Sequence, residues 1–507
     1  MRCAVAARRR ARGWATLLAG ALLLPASASA QDAPAESGRA RVESLRFEPL
    51  RFDPPAPSEH EVLGVPVFLL EDPSLPLVDL FIRVEGGYAR FGRENYAAAT
   101  ALPGLLRSGG TTELPPQALE ERLESLAMQT SFGGAGGVIS SSLNIVTDAL
   151  DPALELWWAM LTRPRFDTTV VEVWRGRQLE GVRRRTDDPA GLAFSEFNRL
   201  MYGDHPIGWE MTADDLAPDD LSNARLHALH RRIICRDNLV LGAAGDVDWG
   251  TLEPRLRRLI EQVPACTESV PDAPDPTVRQ APGVFLIAKP LDQSTVVAAH
   301  ASDLRQSVDP EWFASRIGNS ILGASGFSSR LMARLRTERG YAYSAASLWT
   351  TPREYDGLVG ATTRTGSGTT VAALQLMLET FAEMGTTPPA QSEVDDRVAE
   401  FVNGFVFAFD SPAAVVARQM TYRATDYPPD WLERYVEGIQ AVTPEAIRAV
   451  FAAHLDPARM TVLVVGDPER FDAALESLGL GAVTVLDPDE AGGPTPSGPS
   501  GSPRSRR

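Results

Sequence analysis

The sequence predicts an α+β fold in which one unit of strands and helices occurs twice along the chain. The apolar run Val67–Leu70 has a counterpart in Val284–Ile287, 217 residues later. A second apolar run ends in Gly245-Asp246 and again in Gly466-Asp467, at an offset of 221 residues. Because two markers recur at nearly one offset, we predict a duplicated unit rather than a chance similarity.

Length and composition agree with a folded protein of at least two domains. The chain has 507 residues, of which 44 % are hydrophobic and 23 % charged, which is ordinary for globular proteins. Its formal net charge is −17, and it becomes −22 if residues 1–30, with five arginines and no acidic residue, are removed. Such an acidic chain should repel nucleic acids and anionic lipids, so we expect neither as a partner.

Residues 1–30 have the three parts of a secretory signal. Basic residues between Arg2 and Arg12 precede the apolar run Trp14–Leu24, and Ala28-Ser29-Ala30 supply small residues for cleavage after Ala30. The run is shorter than the roughly 20 residues that span a bilayer, which disfavours an uncleaved anchor. We therefore expect the mature protein to be periplasmic or secreted, without membrane insertion after cleavage. The Sec and twin-arginine export routes both stay open.

Two cysteines, Cys235 and Cys266, remain after the predicted cleavage. In an exported protein such a pair is often oxidised, and two buried free thiols are the alternative. Spacing alone does not decide between them.

Apolar periodicity predicts the elements of the first half in order. Residues 31–60 are polar and rich in Pro, which indicates a loose leader. The predicted strands are Val67–Leu70, Val78–Val84, Val138–Val146 and Asn238–Ala244. The predicted helices are Asn95–Leu106, Gln117–Met128, Ala149–Leu161, Thr168–Arg185, Leu192–Met201, Leu221–Ile234 and Trp249–Val263. The glycines between 133 and 137 are expected to turn the chain into the strand at Val138.

Changes in composition predict how the chain is divided. A flexible leader, 31–43, precedes a first domain at 44–264. Residues 265–283, rich in Pro, Asp and Thr, are expected to form a linker to a second domain at 284–485. The tail, 486–507, is dominated by Pro, Gly and Ser and is predicted to be disordered.

Several spaced motifs resemble the insulinase-like metallopeptidases, the family of pitrilysin and the mitochondrial processing peptidase. Residues 97–112 resemble the helix that carries the family's inverted His-x-x-Glu-His motif before a Gly-Thr pair. Gly326–Leu331 and Gly340–Ser344 resemble its second signature. On these motifs the chain between about 44 and 485 is identified as a member of the family. The resemblance implies two α/β-sandwich domains, each an antiparallel-rich sheet with helices packed on it.

The positions that should bind zinc hold other residues. The resemblance places the two histidines at Ala101 and Leu105, the catalytic glutamate at Gly104 and the third ligand at Gly181. None of these side chains can bind a metal or accept a proton, and no histidine lies within four residues of the motif. Glu180 is adjacent to the third position but points about 100° away on a helix. Pro103 is expected to distort the helix as well.

The second signature is retained. In the family it pairs an arginine with a tyrosine seven residues later, and here these are Arg336 and Tyr343. The resemblance implies that both contact the backbone of a peptide substrate. The structural alternative is that Arg336 pairs with a nearby acid such as Glu338. His227 and His230 share a helix face, but no third ligand is evident, so packing is favoured over metal binding there.

These observations predict a protein without catalytic residues or a metal of its own, inactive alone. The resemblance implies the non-catalytic subunit of a periplasmic zinc peptidase, which binds peptide for a zinc-bearing partner chain in a heterodimer. The alternative is a peptide-binding or scaffold protein of the cell envelope without peptidase activity. A homodimer is left open.

Overall fold

The computed structural model describes residues 55–278 and 282–487. The predicted signal, the leader 31–43 and the tail from residue 488 onward lie outside the described residues. The first sheet has six strands in the order β1-β2-β6-β3-β5-β4. Its strands are β1 Ser58–Val62, β2 Val65–Glu71, β3 Leu77–Glu85, β4 Gln129–Ala135, β5 Val138–Val146 and β6 Leu239–Gly245.

Seven α-helices accompany the first sheet in the described part of the chain. They are α1 Tyr96–Ser108, α2 Pro116–Ser125, α3 Leu150–Thr162, α4 Thr168–Arg183, α5 Pro189–Tyr202, α6 Asn223–Ile233 and α7 Trp249–Ile260. The predicted helices of this half all occur, at bounds that differ by at most three residues. Most begin or end at expected signals; for example, the Asp167 side chain accepts a hydrogen bond from Thr169 N and caps α4.

The second sheet also has six strands, in the order β12-β7-β11-β8-β10-β9. Its strands are β7 Gly283–Ala288, β8 Gln293–Ser302, β9 Ala342–Trp349, β10 Gly357–Gly366, β11 Thr461–Gly466 and β12 Val483–Val485. The helices of this half are α8 Pro310–Asn319, α9 Arg330–Met332, α10 Thr370–Thr386, α11 Gln391–Phe405, α12 Pro412–Ala424, α13 Trp431–Gln440 and α14 Pro444–His454. A π-helical turn continues α8 over Ser320–Ala324 and another continues α9 over Ala333–Glu338.

The two sheets repeat one plan, which confirms the predicted α+β duplication. Each sheet contains one parallel pair that includes the strand before the Gly-Asp marker. These pairs are β2 with β6 and β7 with β11. Three further strands follow in equivalent antiparallel order, β3, β5, β4 and β8, β10, β9. The outermost strands differ, because β1 pairs antiparallel with β2 whereas β12 pairs parallel with β7.

Two expectations for exposed segments were only partly right. The last three residues of the leader predicted over 31–60 belong to β1, which pairs with β2 through partners such as His60 and Val67. The glycine run is only partly a turn: Gly133 and Gly134 belong to the edge strand β4, and Gly136-Gly137 alone make the two-residue turn into β5. Both strands lie at edges, where exposed residues do not have to alternate between polar and apolar.

Each half has its own apolar core on the inner face of its sheet. In the first half the largest fully buried side chains are Trp157, Trp158 and Phe166. In the second half Trp312, Phe381 and Phe451 are likewise fully buried in the core of that half. Because strand residues alternate between faces, Val462 and Val464 of β11 point into this core and Leu463 and Val465 point away from it.

The outer face of each sheet is covered by a helix from the other half. Helix α5 places Leu192, Phe197 and Met201 against the outward residues of β7, β8 and β11. Helix α12 in turn packs on β2 and β6 of the first sheet.

Gly242 of β6 makes the close approach of α12 feasible. A Cβ atom at this position would lie 2.4 Å from Met420 Sδ and 2.6 Å from Val416 Cγ1. Only a residue without a side chain leaves room for both. The exchange of helices therefore buries the second face of the central strands in each sheet.

Membrane-spanning potential is weak in the described part of the chain. There, no individual helix has the length and apolar character needed to cross a bilayer. One bent pair, Gln391–Phe409 with Pro412–Ala424, passes by length and composition together, with a bend of 103°.

Cys235 and Cys266 form a disulfide in the structure. Cys235 follows α6 and directly precedes the segment leading to β6, whereas Cys266 follows α7. The bond therefore closes a loop that contains β6 and α7, with a sequence separation of 31 residues. Of the two alternatives left open by the sequence, the oxidised pair is the one found.

We expect that replacing both cysteines by serine lowers the free energy of unfolding by about 3–4 kcal/mol, because the unfolded chain regains the entropy of an open loop of this length. Urea unfolding of the parent and the double variant measures the difference. Reductant should destabilise the parent and leave the variant unchanged. Equal stability of both proteins under oxidising conditions would contradict the expectation.

Candidate functional site

The positions of the missing zinc motif lie on α1 and belong to the apolar core. Ala101 is 0 % exposed and Leu105 is 1 % exposed, and both pack in the first core. Gly104, at the position of the catalytic glutamate, is exposed, and an added Cβ would meet no atom within 4 Å. Side chains that would bind a metal have thus been replaced by packing residues and by open space.

Pro103 lies inside helix α1 and does not end it. Helix α1 runs from Tyr96 to Ser108 with Pro103 inside it. The ring is buried and packs against β4, since a Cβ at Gly134 would lie 2.8 Å from Pro103 Cγ. The proline is therefore accommodated by a glycine of the neighbouring edge strand.

The third ligand position is also empty. Gly181 lies near the end of α4, a helix in contact with α1, and a Cβ there would meet nothing within 4 Å. The adjacent Glu180 binds within its own helix region, 2.6 Å from Arg184 Nε and 3.8 Å from Arg183 Nη1. It does not replace the missing ligand.

A cavity of about 380 Å³ lies beside Gly181. Its polar lining includes Gln178, Arg185, Ser195 and Glu210. Burial raises the pKa of Glu210, and Arg185, whose Nε lies 3.7 Å from the carboxylate, opposes that shift. The space next to Gly181 is therefore lined by polar and charged groups.

No metal centre is found elsewhere in the ranges 55–278 and 282–487. They contain no group of three or more His, Cys, Asp or Glu residues that could hold a metal ion. His230 is buried, its Nε2 lies 2.7 Å from the Leu161 carbonyl oxygen, and burial lowers its pKa to about 4. His227 packs against the edge of Phe166. The pair therefore has the packing role that the sequence favoured.

The structure brings Arg336 and Tyr343 together. Arg336 Nη1 donates to the Tyr343 carbonyl oxygen at 3.3 Å, and its guanidinium carbon lies 5.1 Å from the centroid of the Tyr343 ring. The same carbon lies 4.8 Å from the ring of Phe327. The alternative, an ion pair between Arg336 and Glu338, does not occur. Within the described residues Arg336 has no ion pair.

Both rings beside Arg336 face solvent. Phe327 is 73 % exposed and Tyr343 72 % exposed, although large aromatic side chains are usually buried. The sequence pattern alone does not mark Phe327 as a site residue. The available signal was an aromatic residue in the short Gly326–Ser328 turn before α9, a place where core residues are not expected.

Local backbone geometry sets the Arg336–Tyr343 spacing. Arg336 lies in the π-helical turn that extends α9, and π-helical turns are frequent at functional sites. Gly340, at φ +66°, reverses the chain into β9. Tyr343 then occupies a β-bulge, because Arg364 pairs with Ser344 and Thr365 pairs with Ala342, which leaves Tyr343 without an opposite residue. Bulges redirect side chains, and this one lies on the outer strand of the second sheet.

Two curated relatives share part of this sequence. An uncharacterized zinc protease of Streptomyces coelicolor is 28 % identical over 310 residues, which is 59 % of this chain and 65 % of that protein. The chain thus spans less than two thirds of this relative's length. A non-peptidase homolog, YmxG, of Helicobacter pylori is 21 % identical over 421 residues, covering 80 % of this chain and 93 % of the relative.

Two solved structures share its fold. A peptidase M16 inactive domain from Pseudomonas fluorescens superposes with a TM-score of 0.71 at 24 % identity, covering 81 % of this chain and 98 % of that one. The periplasmic protease PqqL from Escherichia coli superposes with a TM-score of 0.70 at 14 % identity, covering 83 % of this chain and 48 % of PqqL. The family model described as the peptidase M16 inactive domain matches residues 220–401.

The duplicated sheets define a peptidase-like fold, and the described residues contain no group that could hold a metal ion. With the match of residues 220–401 to the peptidase M16 inactive domain, the chain is similar to non-catalytic proteins of the insulinase-like (M16) family.

The ligand positions should differ in their tolerance of a restored ligand. We expect Leu105→His to lower the free energy of unfolding by about 3 kcal/mol or more, because it removes core packing and buries an imidazole. Gly181→Glu should be neutral or stabilise by up to about 1 kcal/mol, since the site is open and glycine disfavours helix. Urea unfolding measures both changes, and equal effects of the two substitutions would contradict the structure.

Proposed function

We propose that this chain is the non-catalytic subunit of a periplasmic insulinase-like zinc peptidase, in which it binds and positions peptide for a zinc-bearing partner chain. The observation that carries the proposal is the exposed group formed by Arg336, Tyr343 and Phe327. Exposed aromatic rings grouped around an arginine that has no ion pair in the described chain are a surface of the kind that binds ligands.

The chemistry of this group suits a peptide backbone. The hydrogen bond to the Tyr343 carbonyl uses one of the five N–H donors of Arg336. The remaining donors and the Tyr343 hydroxyl can bind a peptide carbonyl, and such bonds strengthen as the oxygen gains negative charge. Because Tyr343 lies on an outer strand, an extended peptide can also approach that strand edge.

Hydrolysis would have to come from another chain. The four positions that supply zinc ligands and the base hold Ala101, Gly104, Leu105 and Gly181, so this chain offers no metal-activated water. We propose that zinc is bound by the partner in a heterodimer. The match of this chain to only 48 % of PqqL supports a peptidase assembled from about two units of this size.

We propose export to the periplasm on two grounds. Residues 1–30 have the pattern of a cleavable signal, and the structurally similar PqqL is a periplasmic protease. A disulfide between Cys235 and Cys266 is in keeping with an oxidising compartment. Within this exported chain we propose 44–264 and 284–485 as the two domains, with 265–283 as their linker.

A second candidate function is a peptide-binding or scaffold protein of the cell envelope with no peptidase partner. The similarity to a non-peptidase homolog over 93 % of that protein's length favours it. The two functions share the exposed Arg336 group and differ in whether an active chain binds beside it.

Recovery of a tagged copy of this chain from its native cells separates the two functions. Proteins that co-purify are identified, and zinc content and peptide cleavage are measured in the same fraction. A stoichiometric partner with an intact His-x-x-Glu-His motif, together with zinc and cleavage, supports the half-enzyme. Recovery of this chain without such a partner, metal-free and inert, supports the scaffold and overturns the half-enzyme.

In the assembled complex, Arg336→Ala should lower kcat/KM by about 100-fold, as expected for a lost donor to a developing oxyanion. Tyr343→Phe should lower it by about 10-fold, as expected for one lost neutral hydrogen bond. Arg339→Ala is the matched control, since Arg339 is an exposed arginine that directly follows the same π-helical turn. Assembly, followed by gel filtration, should be unchanged in all three variants. Turnover that is equal in the Arg336 and Arg339 variants would remove the assigned role.

A further inference from the structure

A second cavity, of about 300 Å³, lies in the first half of the chain. Its walls come from the last turn of α3, the chain that follows it, helix α6 and the residues after α7. It shares no lining residue with the cavity beside Gly181. The proposed peptide site does not involve it.

Positive charge dominates this cavity. Its charged lining residues are Arg163 and Arg231, and no carboxylate lines it, although the whole chain has a formal charge of −17. The other polar lining groups are the imidazoles of His227 and His230, the hydroxyls of Thr112 and Thr162, and the amide of Gln262. This set consists almost entirely of hydrogen-bond donors or groups that can donate.

The two arginines are only partly neutralised. Arg163 Nε lies 3.3 Å from Glu113 Oε1, and its Nη1 donates to Gln262 Oε1 at 3.4 Å, both at the long end for such contacts. Arg231 has no ion pair within residues 55–278 and 282–487. Burial, and then the charge of Arg231, lower the pKa of His227, so a positive potential acts on this imidazole.

The cavity is also held rigidly. The Phe166 ring lies 4.8 Å from the His227 ring and 6.0 Å from the His230 ring, centroid to centroid. Ile234 and Pro264 line the wall next to the disulfide, and Arg236 N donates to the Pro264 carbonyl oxygen at 2.9 Å. A site whose walls are fixed before binding loses less entropy when a ligand enters.

We propose that this cavity is a binding site for a small oxyanion, a phosphate or carboxylate group carried by a compact molecule. The guanidinium groups of Arg163 and Arg231 can give N–H bonds to such a group, and Thr112 adds a hydroxyl donor, whereas the Thr162 hydroxyl already donates to the Trp158 carbonyl oxygen. At roughly 30 Å³ per water, the space corresponds to about ten waters. That is too small for a folded partner or a long peptide.

Calorimetric titration of the full mature chain at constant ionic strength tests the site with two probes, inorganic phosphate and succinate. At least one probe should bind saturably at one site per chain. Arg231→Gln should weaken that binding by about 10-fold or more, as expected for lost hydrogen bonds to a charged group. Arg232→Gln is the matched control, because Arg232 is exposed on the same helix and does not line the cavity.

The probe that binds more tightly identifies the group, phosphate or carboxylate, and either result supports the site. Absence of saturable binding by both probes up to about 20 mM, far above a millimolar dissociation constant, would overturn it. Equal losses in the Arg231 and Arg232 variants would do the same, because they would indicate general charge screening. Should Arg231→Gln change the urea midpoint, Arg163→Gln serves as the second variant. Peptide cleavage is not part of the measurement, so the result does not depend on the proposed peptidase partner.

Discussion

The exchange of helices between the two halves is the constraint on which the rest of the structure depends. The central strand pairs β2–β6 and β7–β11 are buried on both faces along most of their length, and each half's own helices cover one face only. β11 is buried at all six of its residues, so its outward side chains need the cover that α5 supplies. Each large apolar side chain covered in this way contributes about 1.5–3 kcal/mol. Without the other half, one face of the central strands of each sheet would be exposed to water.

This packing also positions the residues that stand at the family's zinc-ligand positions. Helix α5, held on the second sheet, directly follows the turn after α4, the helix that contains Gly181. Lys289 of the second half donates to the Thr186 carbonyl oxygen in that turn. The former third-ligand position is thus fixed in place by the other half. The apolar side chains of Ala101 and Leu105, at two of the family's ligand positions, add to the core of the first half.

The fold could be predicted because the buried strands, such as β2 and β11, are apolar at alternate or at successive positions. The nearly equal offsets between β2 and β7 and between β6 and β11 revealed the duplication. The edge strands β1 and β4 were missed because exposed residues carry no such signal. For the site, the resemblance to the family's second signature singled out Arg336 and Tyr343. The bulge at Tyr343 and the ring of Phe327 beside it depend on register and tertiary contacts, which no local pattern contains.

The approach of Met420 and Val416 to Gly242 has a consequence for how this protein can change over evolutionary time. Any side chain at Gly242 would need a matching reduction in α12, more than 170 residues away in the same chain. The sequences of the two halves therefore cannot change independently at this contact. Substitutions at these positions should appear as correlated pairs among relatives, and a gene that encoded either half separately would lose the selection that maintains the match.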